Sequence, residues 1–117
     1  MHNYKELKVW QKARELVKFI YILTKKFPKD ELYGITSQMR RAAISISSNI
    51  AEGSGHSSKK DFIRFLEFSY SSASELETQI ILSYDLEFIK ENELNEGSNR
   101  ISEIQKMLKG LIDSLNN

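Results

Sequence analysis

The stretch from Gln38 to Gly53, QMRRAAISISSNIAEG, constrains the fold more than any other part of the chain. On a helix of 3.6 residues per turn, Ile35, Met39, Ala42, Ile46, Asn49 and Gly53 recur at alternating spacings of four and three. That is the seam of a helix packed against antiparallel neighbours. A second face carries Ala43, Ile44, Ser47 and Ala51, mostly small residues that admit another helix closely. The polar stripe is Gln38, Arg41, Ser45, Ser48 and Glu52. Asn49 falls on the apolar seam, so a buried, hydrogen-bonded amide that sets register is expected there.

The same period organises the rest of the chain. The first helix is predicted over about Lys5–Lys26, on Trp10, Ala13, Val17, Ile20 and Thr24, and Pro28 stops it. Phe19 and Ile22 lie off that stripe. A turn at Lys29–Gly34 leads into the second helix, which should end at Gly53-Ser54-Gly55 with a glycine in the left-handed cap geometry. Ser58 with Asp61 three residues on resembles a capping box. It opens a third helix predicted to run to about Ile89, ~45 Å at 1.5 Å per residue. Its seam is Phe62, Leu66, Ser69, Ala73, Leu76, Ile80 and Ser83. The fourth helix starts between Glu91 and Ser98 and continues to about Leu115, with Gly97 expected in a frayed first turn. No period-2 alternation marks a strand. The predicted fold is all-α, a single domain over residues 1–117, arranged as an antiparallel up-down-up-down four-helix bundle.

Chemistry is harder to find. There is no cysteine, hence no disulfide framework and no thiolate. The only histidines are His2 and His56, and neither follows a glutamate by three, as a di-iron bundle requires. Both are expected to be exposed and free of metal. Glu75 and Glu77 lie two apart and do not share a helix face. The many serines have neither a glycine elbow nor a helical histidine base. No catalytic residue, metal or cofactor is therefore expected. Glu52 sits at a helix C-terminus, where the dipole disfavours an acid. An ion pair with Arg41, Lys59 or a lysine of another helix is expected to hold it.

Charge is uneven: residues 1–64 hold 13 Lys/Arg against 6 Asp/Glu, and residues 65–117 hold 4 against 10. One reading is pairing of basic with acidic helices. The other is a basic surface for an anionic partner, with Lys12, Arg14, Lys18, Lys25, Arg40, Arg41, Lys59, Lys60 and Arg64 as candidate nucleic-acid contacts. Surplus apolar surface at Phe19, Ile22, Ala43, Ile44, Ser47 and Ala51 predicts a homo-oligomer. MHNYKELKVW lacks a signal-peptide h-region, and no apolar run approaches the ~20 residues of a membrane span. A cytoplasmic location without membrane partner is expected.

Particular residues also carry a family resemblance. They are Leu7-Lys8-Val9-Trp10, Phe27-Pro28, Glu31, Tyr33-Gly34, Gln38-Met39-Arg40-Arg41-Ala42-Ala43-Ile44-Ser45-Ile46 and Ser48-Asn49-Ile50-Ala51-Glu52-Gly53. Asp61-Phe62, Phe65-Leu66, Glu75-Leu76-Glu77-Thr78 and Met107-Leu108 continue the pattern. In these the chain resembles the four-helix bundle proteins encoded within intervening sequences of bacterial large-subunit ribosomal RNA genes. It departs at Phe68-Ser69-Tyr70-Ser71-Ser72, where the family more often has Ala-x-Gly-Ser. The resemblance implies a bundle assembled as a homopentamer with no enzymatic activity. It also implies kinship with the accessory protein of diversity-generating retroelements, which works with a reverse transcriptase and nucleic acid. The expected function is a non-enzymatic oligomeric module binding RNA or a nucleic-acid enzyme. The alternative is an adaptor oligomer without nucleic acid.

Overall fold

In the computed structural model, which describes residues 3–117, four long helices account for most of the chain. They are α1 (Lys8–Thr24), α2 (Ser37–Ser54), α3 (Lys59–Asp85) and α4 (Glu91–Leu115). The expectation for His2 lies outside the described residues. No strand occurs among them. Successive helices run antiparallel, and each packs on two others, α1 on α2 and α4, α3 on α2 and α4. The bundle measures 44 × 23 × 20 Å. One end gathers the start of α1, the end of α2, the start of α3 and the end of α4.

Local chemistry sets the helix limits. Leu7 is extended (φ −73°, ψ 123°), so residues Tyr4–Glu6 form a separate 3-10 turn and α1 begins later than the periodicity suggested. Tyr4 then meets Trp10 edge-on at 5.2 Å. At the other end of α1 the Thr24 hydroxyl donates to the Ile20 carbonyl (2.7 Å). Such back-bonding accompanies helix termination two residues before the expected Lys26. Phe27, buried just before Pro28, tucks under the next turn and packs on Phe88 at 5.3 Å. A 3-10 turn (Lys29–Glu31) and one π-helical turn (Leu32–Thr36) lead into α2.

The core line of α2 is Met39, Ala43, Ile46, Ile50 and Gly53, with Ala42 and Ser54 beside it. This corrects the expectation for Asn49, which is half-buried. Both phasings of the three-four pattern share Met39, Ile46 and Gly53. The structure takes the one that buries Ile50, because an alkyl side chain needs no hydrogen-bond partner in the core. Asn49 Nδ2 instead donates along its own helix to Ser45 O (2.8 Å) and Ser45 Oγ (3.0 Å). Ala43 belongs to the same core line and is fully buried within the protomer, so it leaves the set of interface candidates.

Gly53 is also corrected. No glycine among the described residues has positive φ; α2 continues through Gly53 to Ser54, and Gly55 caps it at φ −81°, ψ −10°. What Gly53 supplies is proximity, since a Cβ there would stand 2.7 Å from Phe65 Cβ and 3.0 Å from Phe62 Cδ1. Ser69, on the predicted α3 seam, similarly reaches α2, donating to the Ile46 carbonyl at 2.7 Å.

Ser58 caps α3 as expected, its Oγ accepting from Asp61 N at 3.0 Å. The helix ends at Asp85 rather than near Ile89, because Glu87 takes φ 64°. Phe88 N then donates to Ser83 O (2.9 Å) and Glu87 N to Tyr84 O (3.0 Å), which completes a Schellman closure. The first turn of α4 is not frayed. The backbone N–H of its N-cap, Lys90, donates to Glu93 Oε1 (2.8 Å), and Glu93 also pairs with Lys26 in the turn after α1. Gly97 is buried inside α4, where a Cβ would meet Ile80 Cδ1 at 2.9 Å and the Phe19 ring at 3.4 Å.

Candidate nucleic-acid interface

The cations of α1 and of the turn that follows it fall in two rows, and α4 separates their fates. Lys12 and Lys26 project toward α4 and find acids there, Lys12 with Glu103 at 3.8 Å and Lys26 with Glu93. Arg100 of α4 answers with Glu15 of α1 at 3.9 Å. Burial alone would push the Glu93 carboxyl up, but the Lys26 ammonium and the Lys90 backbone N–H together hold it below the usual glutamate range. Part of the charge asymmetry is therefore spent inside the protomer. Lys12 accordingly leaves the set of free contacts.

The second row, Arg14, Lys18 and Lys25, runs along the side of α1 nearest α2 and forms no ion pair among the described residues. Tyr21 stands within this row, 37% exposed. Arg40 crosses from α2 to lie over the Tyr21 ring, 4.5 Å from its centroid, and its Nε donates to Thr24 Oγ1 at 2.9 Å. One bond thus fixes the guanidinium and leaves its terminal nitrogens available. Arg14 is placed in the same way, 5.8 Å from the Trp10 ring. Gln11, Arg14, Glu15, Val17, Lys18 and Tyr21 together wall a groove of about 540 Å³, in which Glu15 is turned to Arg100. A partly exposed Tyr21 ring among unpaired cations suits an anion that carries planar groups.

The remaining candidates lie elsewhere. Arg41 turns to the opposite side of α2, into a groove against α3. Lys59, Lys60 and Arg64 cluster at the start of α3, beside Leu115 and Asn116. There Arg64 pairs with Asp61 (3.9 Å) and lies over Phe65 and Phe68 at 5.0 and 5.7 Å. The nine residues nominated by charge thus divide among three surfaces and one internal pair. What sequence could not single out was Tyr21, whose place between Arg14, Lys18 and Lys25 was visible but whose contact with Arg40 depends on helix packing.

Other expectations change too. Glu52 is exposed and pairs with no cation among the described residues, because Arg41 lies three turns away along the helix and Lys59 beyond the turn. His56 is half-buried rather than exposed. Its ring stacks on Phe65 (5.0 Å between centroids, 27° between planes), with Nδ1 3.8 Å from Asp61 Oδ2. No three metal-ligating side chains converge among the described residues. Phe19 is covered within the protomer by Gly97 and by Arg100, whose Cζ lies 5.2 Å from the ring centroid. Ile22, by contrast, is 58% exposed, and Ile44 41%. Among the described residues no helix is long and apolar enough to cross a membrane.

Comparison with known proteins agrees with this architecture. A crystal structure of a protein of unknown function from the S23 ribosomal protein family of Bacteroides thetaiotaomicron VPI-5482 is similar with a TM-score of 0.80. The match covers 89% of this chain and 97% of that one at 27% identity. No curated protein matches the sequence. The model of the 23S rRNA-intervening sequence proteins matches residues 5–110, so the region it describes takes in the basic row of α1, all of α2 and α3, and most of α4. On that match the chain belongs to the 23S rRNA-intervening sequence protein family.

Proposed function

We propose that this protein is a non-enzymatic, cytoplasmic, oligomeric helical-bundle module that binds RNA, alone or in the hands of a nucleic-acid-processing enzyme. The observation that carries this reading is the Arg40 guanidinium fixed over exposed Tyr21, beside unpaired Arg14, Lys18 and Lys25. Phosphates would sit on the cations and an unstacked base on the aromatic surface. No acid, base and nucleophile set accompanies it, so the role is binding rather than catalysis.

Oligomerisation supports the same role by repeating a modest site and adding avidity. The exposed Ile22 and Ile44, with Ser47 and Ala51 beside Ile44, remain the candidate interface. Phe68 and Leu82 of α3 and its C-cap Leu86 are exposed as well, at 45%, 46% and 55%. Five subunits is the number that the family resemblance favours. Static light scattering that returns 13.6 kDa, the mass of one chain, would overturn the assembly.

An adaptor oligomer without nucleic acid is the second reading. The pairs Lys12–Glu103, Lys26–Glu93 and Arg100–Glu15 favour it, since they use charge internally. Electrophoretic shift of a structured RNA across a salt series separates the two. RNA binding predicts a shift that fades steeply as salt rises. No shift even at about 50 mM salt, where phosphate contacts are strongest, sinks the RNA reading.

A further inference from the structure

Arg40 and Arg41 are neighbours in sequence but leave α2 on opposite sides. Arg40 joins the α1 row, whereas Arg41 lines a groove of about 480 Å³ against α3. Its walls are Tyr33, Ser37, Gln38, Arg41, Ser45 and Glu75. Tyr33, on the π-helical turn, is 92% exposed, more than any other large apolar or aromatic side chain described. A ring held that far into water contributes little to the protomer's core and is open to a ligand.

The polar walls are held in place. Ser37 Oγ donates to Gly34 O at 3.1 Å. Ser45 Oγ lies 2.9 Å from Ser72 Oγ and accepts from Asn49 Nδ2 at 3.0 Å. Buried Gln79 donates its Nε2 to Glu75 Oε2 at 3.3 Å, which leaves Glu75 Oε1 with no partner among the described residues. Arg41 and Glu75 line one groove yet form no ion pair with each other. Opposite charges kept apart across a groove suit a ligand with an anionic end and a hydrogen-bond-donating end.

We infer that this groove seats one unstacked nucleotide of a single-stranded RNA, and that it prefers cytosine to uracil. The inference rests on the RNA reading above and adds a base preference to it. Tyr33 stacks on the base, which is tolerant of base identity. Arg41 takes the phosphate through its planar fork of donors. Glu75 supplies the discrimination. An ionised carboxylate only accepts, so it pairs with the exocyclic amino group of cytosine and repels the oxygen that uracil presents there. The volume is in the range of small-ligand sites, roughly 300–1,000 Å³.

Fluorescence anisotropy with labelled oligocytidine and oligouridine of equal length tests this at about 50 mM salt. The wild type should bind oligocytidine about tenfold more tightly. Glu75→Gln, whose amide both donates and accepts, should bring the two within about twofold. Tyr33→Ala should weaken both about tenfold, since stacking is shared by all bases. Both side chains are exposed, and a glutamine amide oxygen at position 75 can still accept from buried Gln79 Nε2. Equal wild-type affinity for the two oligomers, or an unaltered Tyr33→Ala, overturns the groove assignment while RNA binding along α1 stands. Loss of all RNA binding in the wild type, structured RNA included, removes both. Free cytidine monophosphate competing as well as the oligomer would make the groove a free-nucleotide site and overturn its assignment to an RNA strand.

Discussion

Gly53 and Gly110 make a matched pair in which the same substitution should act with opposite signs. Gly110 lies inside α4, where alanine is favoured over glycine by about 1 kcal/mol, and Gly53 lies one residue from the end of α2, where the gain is at most that. At Gly110 a Cβ would meet nothing within 4 Å, so Gly110→Ala should realise most of that gain. At Gly53 the added methyl would stand 2.7 Å from Phe65 Cβ and 3.0 Å from Phe62 Cδ1. Phe65 Cβ is tied directly to the α3 backbone, so the clash is relieved only by moving the helices apart. Overpacking of this kind costs about 1–3 kcal/mol. Set against the helix-propensity gain, Gly53→Ala should lose about 1–2 kcal/mol if the cost lies in the upper part of that range. With ~2.1 cal/mol/K of unfolding entropy per residue, a 117-residue chain shifts by about 4 °C per kcal/mol. Thermal melts followed by circular dichroism should therefore place Gly110→Ala about 3–4 °C above the parent and Gly53→Ala about 4–8 °C below it. Gly53→Ala melting at or above the parent would refute the close approach of α2 and α3.

Three further outcomes follow from individual contacts. Glu87→Gly should raise stability by about 0.5–1 kcal/mol, because glycine adopts the left-handed conformation without a Cβ penalty; a lower melting temperature would argue against the Schellman closure. The Glu93 carboxyl is held below its ordinary range, so its contribution is present above about pH 4.3 and disappears as pH falls through the lowered value. Melts of Glu93→Gln should therefore differ from the parent at neutral pH, by no more than about 1 kcal/mol, and converge in acid once the carboxyl is protonated; a gap that widens in acid reverses the sign and rejects the pairing. Asn49→Ala should change stability by less than about 1 kcal/mol, since its bonds are to its own helix at a half-buried position and alanine is the better helix former; a loss beyond 2 kcal/mol would restore Asn49 as a buried structural amide.

Which features were legible depended on whether one helix or two decided them. The seam of α3 was readable because Phe62, Leu66, Leu76 and Ile80 leave no alternative phase. In α2 the choice between Asn49 and Ile50 turned on the cost of burying an amide. Periodicity is blind to that cost. Gly53 and Gly97 read as helix breakers by propensity, yet each marks a crossing where a neighbouring helix leaves no room for a methyl. The termination of α3 was missed because the left-handed residue is Glu87, not a glycine. The basic surface was half legible. Charge counting nominated nine residues, but only packing told which of them α4 neutralises and which gather around Tyr21.

The central claim is that RNA is held by the unpaired row on α1 and not by basic character at large. Its most direct test is the salt dependence of RNA affinity in paired variants. Removing one cation that touches a phosphate lowers the slope of log K against log salt by about 0.7 for a single strand. Arg14→Gln combined with Lys18→Gln should therefore flatten the slope by about 1.4 and weaken binding across RNA sequences alike. Lys12→Gln removes an equal kind of charge whose partner is Glu103, and should leave the slope at the wild-type value. If Lys12→Gln flattens the slope as much per charge as the α1 double variant, or if the double variant leaves it unchanged, the assignment of the interface is wrong.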